Sequence, residues 1–300
     1  MLTRRMKRTL SIVGAGRVGK TLGRRLRERG WRIAAVVTRS QATARAAARA
    51  IGAGTPLVLG GNVSRQVLET IFSAGLIFIT PADDVLPSLV ATLAGLAGEK
   101  VRGKIILHTA ASLDRTALAP LARHGASVGS LHPMQAFGGA IMPSLENVIF
   151  AVEGDAKARR VATSIARSLG GLPVIIDTRD KPVYHASAVI AAGSAYPTIE
   201  AGLQLLVSIG FTRQRAQQTL FPLLRQILDN IERIGPRAAW TGPLSRGDYA
   251  IVARHTKALR KYPREFRDAY AALAMLAGRT LAENPAAARK KIAQSLGDSR

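Results

Sequence analysis

Three hundred residues with 47% hydrophobic side chains supply one large domain or two ordinary ones with a real core, and exclude long-range disorder. The absence of cysteine excludes a disulfide framework, a thiol nucleophile and a thiolate metal site. A net charge of +24 raises nucleic acid as a partner, yet the basic residues run along the whole chain and aromatics make up only 5%, so a basic surface suited to small anions is expected instead.

Met1 to Arg8 resembles the charged head of a signal peptide, but the apolar stretch behind it, Thr9 to Val13, is too short for one. No run approaches the roughly 18 apolar residues of a spanning helix. A cytoplasmic protein without membrane contact is expected. Leu10-Ser11-Ile12-Val13 reads as a strand, and Lys20 to Arg29 as an amphipathic helix. Between them stands Gly14-Ala15-Gly16-Arg17-Val18-Gly19, a GxGxxG turn in the setting that holds a dinucleotide pyrophosphate. The first glycine allows the tight turn, the second lets backbone approach phosphate, and the third lets the helix pack on the strand. Helix N–H groups without acceptors then face the anion.

Trp31 to Val37 is the second strand and ends in Thr38-Arg39-Ser40. An acidic residue at this point would read the ribose 2′-hydroxyl. Arginine beside hydroxyls pairs with a 2′-phosphate instead, so NADP(H) is the expected cofactor.

Gln41 to Ala50 reads as an alanine-rich helix and Gly75 to Thr80 as a buried strand. Thr80 and Pro81 then line the cofactor, while Asp83 or Asp84 caps the following helix, which runs to about Ala97. Lys104 to His108, Ala126 to Leu131, Asn147 to Val152 and Pro173 to Ile176 are further strands, with a helix from Ala156 to Leu169. Alternating strands and helices indicate a doubly wound, mostly parallel Rossmann sheet. From Lys181 onward only helices are expected: Pro182 to Ile209, Arg213 to Ile234, Asp248 to Leu259, Arg264 to Leu281 and Pro285 to Leu296. This gives a dinucleotide-binding domain over 1–179 and an all-helical domain over 180–300. Pro197 should kink or split the long helix, whose weak polar face suggests the buried centre of the second domain.

Three segments carry candidate chemistry. His108 and His132 follow apolar strands and so reach the edge where ligands bind, His108 beside the cofactor and His132 as a proton or hydrogen-bond donor. Lys181, Tyr184 and His185 stand at i, i+3 and i+4 on one face of a first helical turn, with Lys181 and His185 as donors and Tyr184 as a substrate contact. Trp240 to Asp248 holds more than a connector needs: Thr241 and Arg246 can position a substrate, the guanidinium clamping a carboxylate, while Asp248 suits a helix N-cap. The five histidines are dispersed without metal-ligand spacing, and no Gly-x-Ser-x-Gly elbow indicates a hydrolase.

Gly14 to Gly19, Leu131-His132-Pro133-Met134-Gln135-Ala136-Phe137, Tyr184-His185-Ala186-Ser187-Ala188-Val189 and Leu244-Ser245-Arg246-Gly247-Asp248 together resemble the Rossmann-like proteins with a DUF2520 C-terminal domain. That family is similar to ketopantoate reductases, pyrroline-5-carboxylate reductases and the wider 6-phosphogluconate-dehydrogenase-like group. The resemblance implies a Rossmann domain, an all-helical second domain and a homodimer built through the helices. It departs at Gly193, where the family pattern usually has an asparagine suited to contacting substrate. The expected activity is NADP(H)-dependent reduction of a small carbonyl or imine compound bearing a carboxylate. The alternative is an NADP(H)-binding sensor or regulatory module without turnover.

Overall fold

The computed structural model describes residues 8–59, 63–139 and 141–297, so Met1 to Lys7 of the basic opening segment lie outside it. The chain divides into two compact units, Met1–Ala191 and Ala192–Arg300. The first contains β1 (Thr9–Val13), α1 (Arg17–Glu28), β2 (Arg32–Thr38), α2 (Gln41–Ile51), β3 (Thr55–Val58), α3 (Arg65–Phe72), β4 (Leu76–Ile79) and α4 (Leu86–Ala97). It continues with β5 (Ile105–His108), α5 (Ala119–Arg123), β6 (Ser127–Pro133), β7 (Ile149–Gly154), α6 (Ala156–Ser168), β8 (Leu172–Ile175) and α7 (Lys181–Ala188). The boundary lies later than the expected one near residue 179, so α7 and its candidate residues belong to the first unit.

The strands form one sheet in the order β3-β2-β1-β4-β5-β6-β7-β8. All neighbours are parallel except β6 and β7. Because β2 and β4 flank β1, the order reverses there and opens a crevice beyond the carboxyl ends of β1 and β4. Alternation along β1 divides the core. Leu10 and Ile12 pack with Leu22 and Leu26 of α1, Ile51 of α2 and Ile165 of α6, whereas Val13 packs with Ile71 of α3 and Val90 of α4. Ser11 points into the second layer, where its buried hydroxyl donates to the Ile71 carbonyl at 2.8 Å and avoids an unpaired polar group.

Two expected caps are absent. α4 starts at Leu86 with Val85 as N-cap and no side-chain cap. Asp83 instead accepts a hydrogen bond from Ser112 Oγ at 3.1 Å, because an intervening turn, with Leu86 N–H on the Ala82 carbonyl, delays the helix. Asp248 stands at the N-cap of α11 (Tyr249–Ala258) by position, yet its carboxylate makes no cap bond.

The second unit is helical: α8 (Ala195–Ser208), α9 (Arg213–Ile234), α10 (Pro236–Ala239), α11, α12 (Arg264–Thr280) and α13 (Pro285–Gly297). The helix expected over Pro182 to Ile209 is broken, but not by Pro197. A π-helical turn, Val189–Gly193, separates α7 from α8. Pro197 falls in the first turn of α8, where a missing N–H costs nothing. Nor is α8 a buried centre: Leu203 alone is buried on it. Its neighbour α9 leaves Leu223, Ile227, Ile231 and Ile234 exposed, a stripe at i, i+4, i+8 and i+11 along one face.

Candidate functional site

The GxGxxG turn forms as expected, with α1 starting at Arg17, three residues before the expected Lys20. Gly14 has φ +82°, and a Cβ there would stand 2.7 Å from Pro81 N. At Gly19 a Cβ would stand 2.4 Å from Thr80 Oγ1, so this glycine lets α1 lie against β1 and the end of β4. Gly16 differs. A Cβ there would meet only the Gly14 carbonyl, at 3.8 Å, so packing within the protein does not require glycine at this position. The open space is the cradle a phosphate needs, next to N–H groups of α1 that have no intrahelical acceptor.

This turn opens into a cleft of about 780 Å³ that Gly14, Ala15, Gly16, Thr38, Arg39, Ser40, Thr80 and Pro81 line, all of them expected there. Lys20 and Thr43 also line it and were not expected. Lys20 directly follows the third glycine, a signal that could have been read as a second phosphate cation. Among the described residues, Lys20 and Arg39 are the charged ones that line the cleft, and no carboxylate does. At the far end Thr38 Oγ1 lies 2.6 Å from Thr43 Oγ1 and 2.9 Å from the Ser40 carbonyl. Ser40 Oγ caps α2 through Thr43 N–H at 3.3 Å. Exposed Arg39 rises from this hydroxyl cluster at the start of α2. The arrangement suits a phosphomonoester.

Four expected cofactor residues are outside the cleft lining: Gly19, which packs against Thr80 and Ile12, and Arg17, Val18 and His108. Arg17 is exposed and outside the cleft lining. Val18 packs on the core beneath α1. His108 is fully buried. Its Nδ1 accepts Ala110 N–H at 3.2 Å and its Nε2 donates to the Asp114 carbonyl at 3.0 Å, so the ring braces the loop after β5 and cannot reach a cofactor. Burial, reinforced by the Lys181 charge, pushes its pKa down to about 4.

Further along the same sheet edge, past β5, lies the second part of the site. His132 near the end of β6 and Tyr184 on α7 are both half-buried, with His132 Nδ1 3.0 Å from the phenol oxygen and the rings edge-to-face. Burial lowers the His132 pKa to about 4, helped by the nearby charges of Lys181 and His185, and raises that of Tyr184 to about 12. His132 is therefore a neutral imidazole and Tyr184 a protonated phenol at neutral pH. His185 is half-buried on the same turn as Tyr184.

Lys181 differs from expectation. Its side chain is 1% exposed, and Nζ donates to Ser130 Oγ at 2.7 Å and the Ala110 carbonyl at 3.4 Å. Turned inward in this way, the ammonium holds the strand ends together and sets its charge near His132. Burial lowers its pKa, while Glu153, Asp114 and Asp83 work against that shift. His108, Ser130 and Glu153 are register partners on β5, β6 and β7, so they form a buried polar row on one face of the sheet. Burial pushes the Glu153 carboxyl up although it accepts Arg115 N–H at 2.7 Å. The expected strand ended at Val152, one residue short of this carboxylate, and Ser130 carries no motif.

Thr241 and Arg246 lie in the second unit, in the turn before α11. Arg246 borders a cavity within that unit, whereas exposed Thr241 is not part of its lining. Among the described residues no cluster of histidine and carboxylate ligands could hold a metal, and no helix is long and apolar enough to cross a membrane.

Similarity to known families divides the chain earlier than the two compact units do, between β6 and β7. Residues 3–133 match the Rossmann-like domain, and residues 148–276 match a domain of unknown function, DUF2520. The chain carries a Rossmann-like domain followed by a DUF2520 domain. The first match ends with β6 and the second begins just before β7, where the sheet turns antiparallel; the DUF2520 match thus includes the last two strands as well as helices. The chain is similar to a candidate NADP oxidoreductase from Bacteroides fragilis at 20% identity, with TM-score 0.73 over 94% of this chain and 98% of that one. It is similar to a reductive aminase from Aspergillus terreus, solved with NADPH and ethyl-5-oxohexanoate, at 16% identity and TM-score 0.64 over 93% and 97% of the two chains. An imine reductase from Streptomyces aurantiacus is 16% identical, with TM-score 0.58 over 87% and 91%. Such likenesses establish the shared fold. No curated protein matches the chain.

Proposed function

We propose that the protein is an NADP(H)-dependent oxidoreductase that reduces a small carbonyl or imine compound with an anionic group. The observation that carries this reading is a cleft with a glycine cradle and Arg39, and with no carboxylate among its described lining residues, on the same sheet edge as the His132–Tyr184 pair. The dinucleotide would lie across the switch point, with Gly14 to Gly16 and the start of α1 at the pyrophosphate and Arg39 at the 2′-phosphate. When bound it supplies the hydride. The solved relatives described with NADP or NADPH support the same cofactor.

In this reading the chain's own contribution is a proton and an oriented dipole. In the tautomer whose Nδ1–H donates to the phenol oxygen, His132 leaves the Tyr184 hydroxyl proton free for the developing oxyanion or amide nitrogen of the substrate. The phenolate that results keeps the His132 hydrogen bond. Lys181 is a positioning residue: its buried charge favours neutral His132 and fixes the strand ends. His185, on the same turn, borders the pair. The exposed stripe Leu223, Ile227, Ile231 and Ile234 supports association of two copies through the helices.

A panel of 2-keto acids and cyclic imines, followed by loss of reduced nicotinamide absorbance, tests the proposal. Turnover of at least one class with NADPH is the expected result. Tight NADPH binding without turnover anywhere in the panel would favour the sensor reading, to which Gly193 in place of the family's asparagine also points.

A further inference from the structure

The helical unit has a cavity of about 670 Å³ that plays no part in the cofactor reading. Arg237, Arg246 and Lys291 bring three cations to it, Trp240 and Tyr249 two aromatic faces, and Leu244, Leu281 and Ala282 an apolar floor. Three other arginines of this unit have carboxylate partners: Arg213 with Glu200, Arg233 with Asp229, Arg264 with Asp268. Here Glu283 is the lining carboxylate, and among the described residues it forms no ion pair with any of the three. Like charges lining one recess repel, and an anion placed among them relieves that cost.

Arg246 stands on a tight turn closed by hydrogen bonds. Gly242 at φ +108° and Gly247 at φ +72° occupy the left-handed region, where a side chain is strained. Between them Ser245 Oγ donates to the Gly242 carbonyl at 2.8 Å, and Asp248 N–H to the Pro243 carbonyl at 2.9 Å. Arg246 is thus presented from a fixed backbone, which lowers the cost of ordering it on a ligand. Lys291 is anchored from the other side, its Nζ 5.7 Å from the centre of the Tyr249 ring.

We infer that this cavity binds a small organic anion, a carboxylate or phosphate head on an apolar or aromatic body, with the head on Arg246, Lys291 and Arg237 and the body against Trp240 and Leu244. Binding at this cavity is measured without turnover and without the cofactor. The chain has two tryptophans. Trp31 is buried in the core of the first unit, so a Trp31→Phe variant of the full chain leaves Trp240 as the sole reporter at the cavity. Its fluorescence is titrated with 3-phenylpropionate, phenyl phosphate, neutral 3-phenylpropionamide and inorganic phosphate.

The expected result is saturable quenching by one or both aromatic anions, the tighter of them naming the head group. The neutral amide and inorganic phosphate are expected to bind at least about tenfold more weakly. Arg246→Gln and Lys291→Gln, both exposed and so harmless to folding, should each weaken the anion about tenfold or more while NADPH affinity stays unchanged. Absence of saturable quenching, equal binding of the amide or of inorganic phosphate, or unchanged affinity in both variants overturns the inference. A parallel NADPH titration separates the two proposals, since loss of cofactor binding with the anion site intact would refute only the cofactor reading.

Discussion

Acidification from pH 6.5 toward 4 is expected to strip several kcal/mol of stability from this protein through two of its histidines. An unfolded histidine takes up a proton near 6.5, whereas folded His108 and His132 resist protonation down to about 4. The unfolded state therefore binds more protons across that window, and the sign follows: stability is fully present above 6.5 and falls as the pH drops toward 4. For His108, whose ring is enclosed, the displacement corresponds to about 3 kcal/mol. His132 contributes less because part of its ring meets solvent. Against a typical total of about 5–15 kcal/mol, this is a large share. Denaturant midpoints measured through the window should fall steeply, and His108→Gln should flatten the slope while lowering stability at neutral pH. A midpoint that holds constant through the window, or a slope the variant leaves unaltered, contradicts the geometry assigned to His108.

The second large effect concerns the phenol. Once the panel identifies a substrate, Tyr184→Phe is expected to lower kcat by about 10²–10⁴, the usual worth of a positioned proton donor. NADPH affinity should not change, because Tyr184 lies outside the cofactor cleft. His132→Phe should lower kcat less, since it removes the hydrogen bond that orients the hydroxyl and leaves the proton in place. Retention of turnover within about twofold in Tyr184→Phe would remove the residue from the reaction and return the role to His185 or to solvent.

Much of the scaffold could be read from the chain because its signals are local. The GxGxxG turn sits between a strand and a helix. The α9 limits Arg213 and Ile234 match expectation because Thr212 caps one end and Gly235 stops the other. β3 and α3 escaped notice for the opposite reason: Thr55–Val58 is a half-buried edge strand interrupted by Pro56, and the eight-residue α3 is too short for a clear period. The antiparallel β6–β7 pairing depends on a connection without a crossover helix, and strand residues alone do not record their direction.

The site was legible in its residue types and less so in their roles. A histidine after an apolar strand reads the same whether it faces a ligand or, like His108, closes a loop beneath one. Lys181 looked like an available donor because i, i+3, i+4 spacing places it with Tyr184 and His185. Only the fold shows that Ser130, two strand positions before His132, draws its ammonium inward. Burial and register decide between such roles, and neither is written in the spacing.

The account rests on the cleft that ends at Arg39. Its most direct test is a fluorescence titration of the full chain with NADPH and with NADH, repeated for Arg39→Glu. A guanidinium bound to a phosphate is worth about 1.5–3 kcal/mol, so NADPH should bind roughly tenfold to a hundredfold more tightly than NADH. Arg39→Glu should abolish that preference by weakening NADPH while leaving NADH nearly unchanged. Equal affinities for the two cofactors in the unaltered protein, or a variant that still prefers NADPH, would contradict the account.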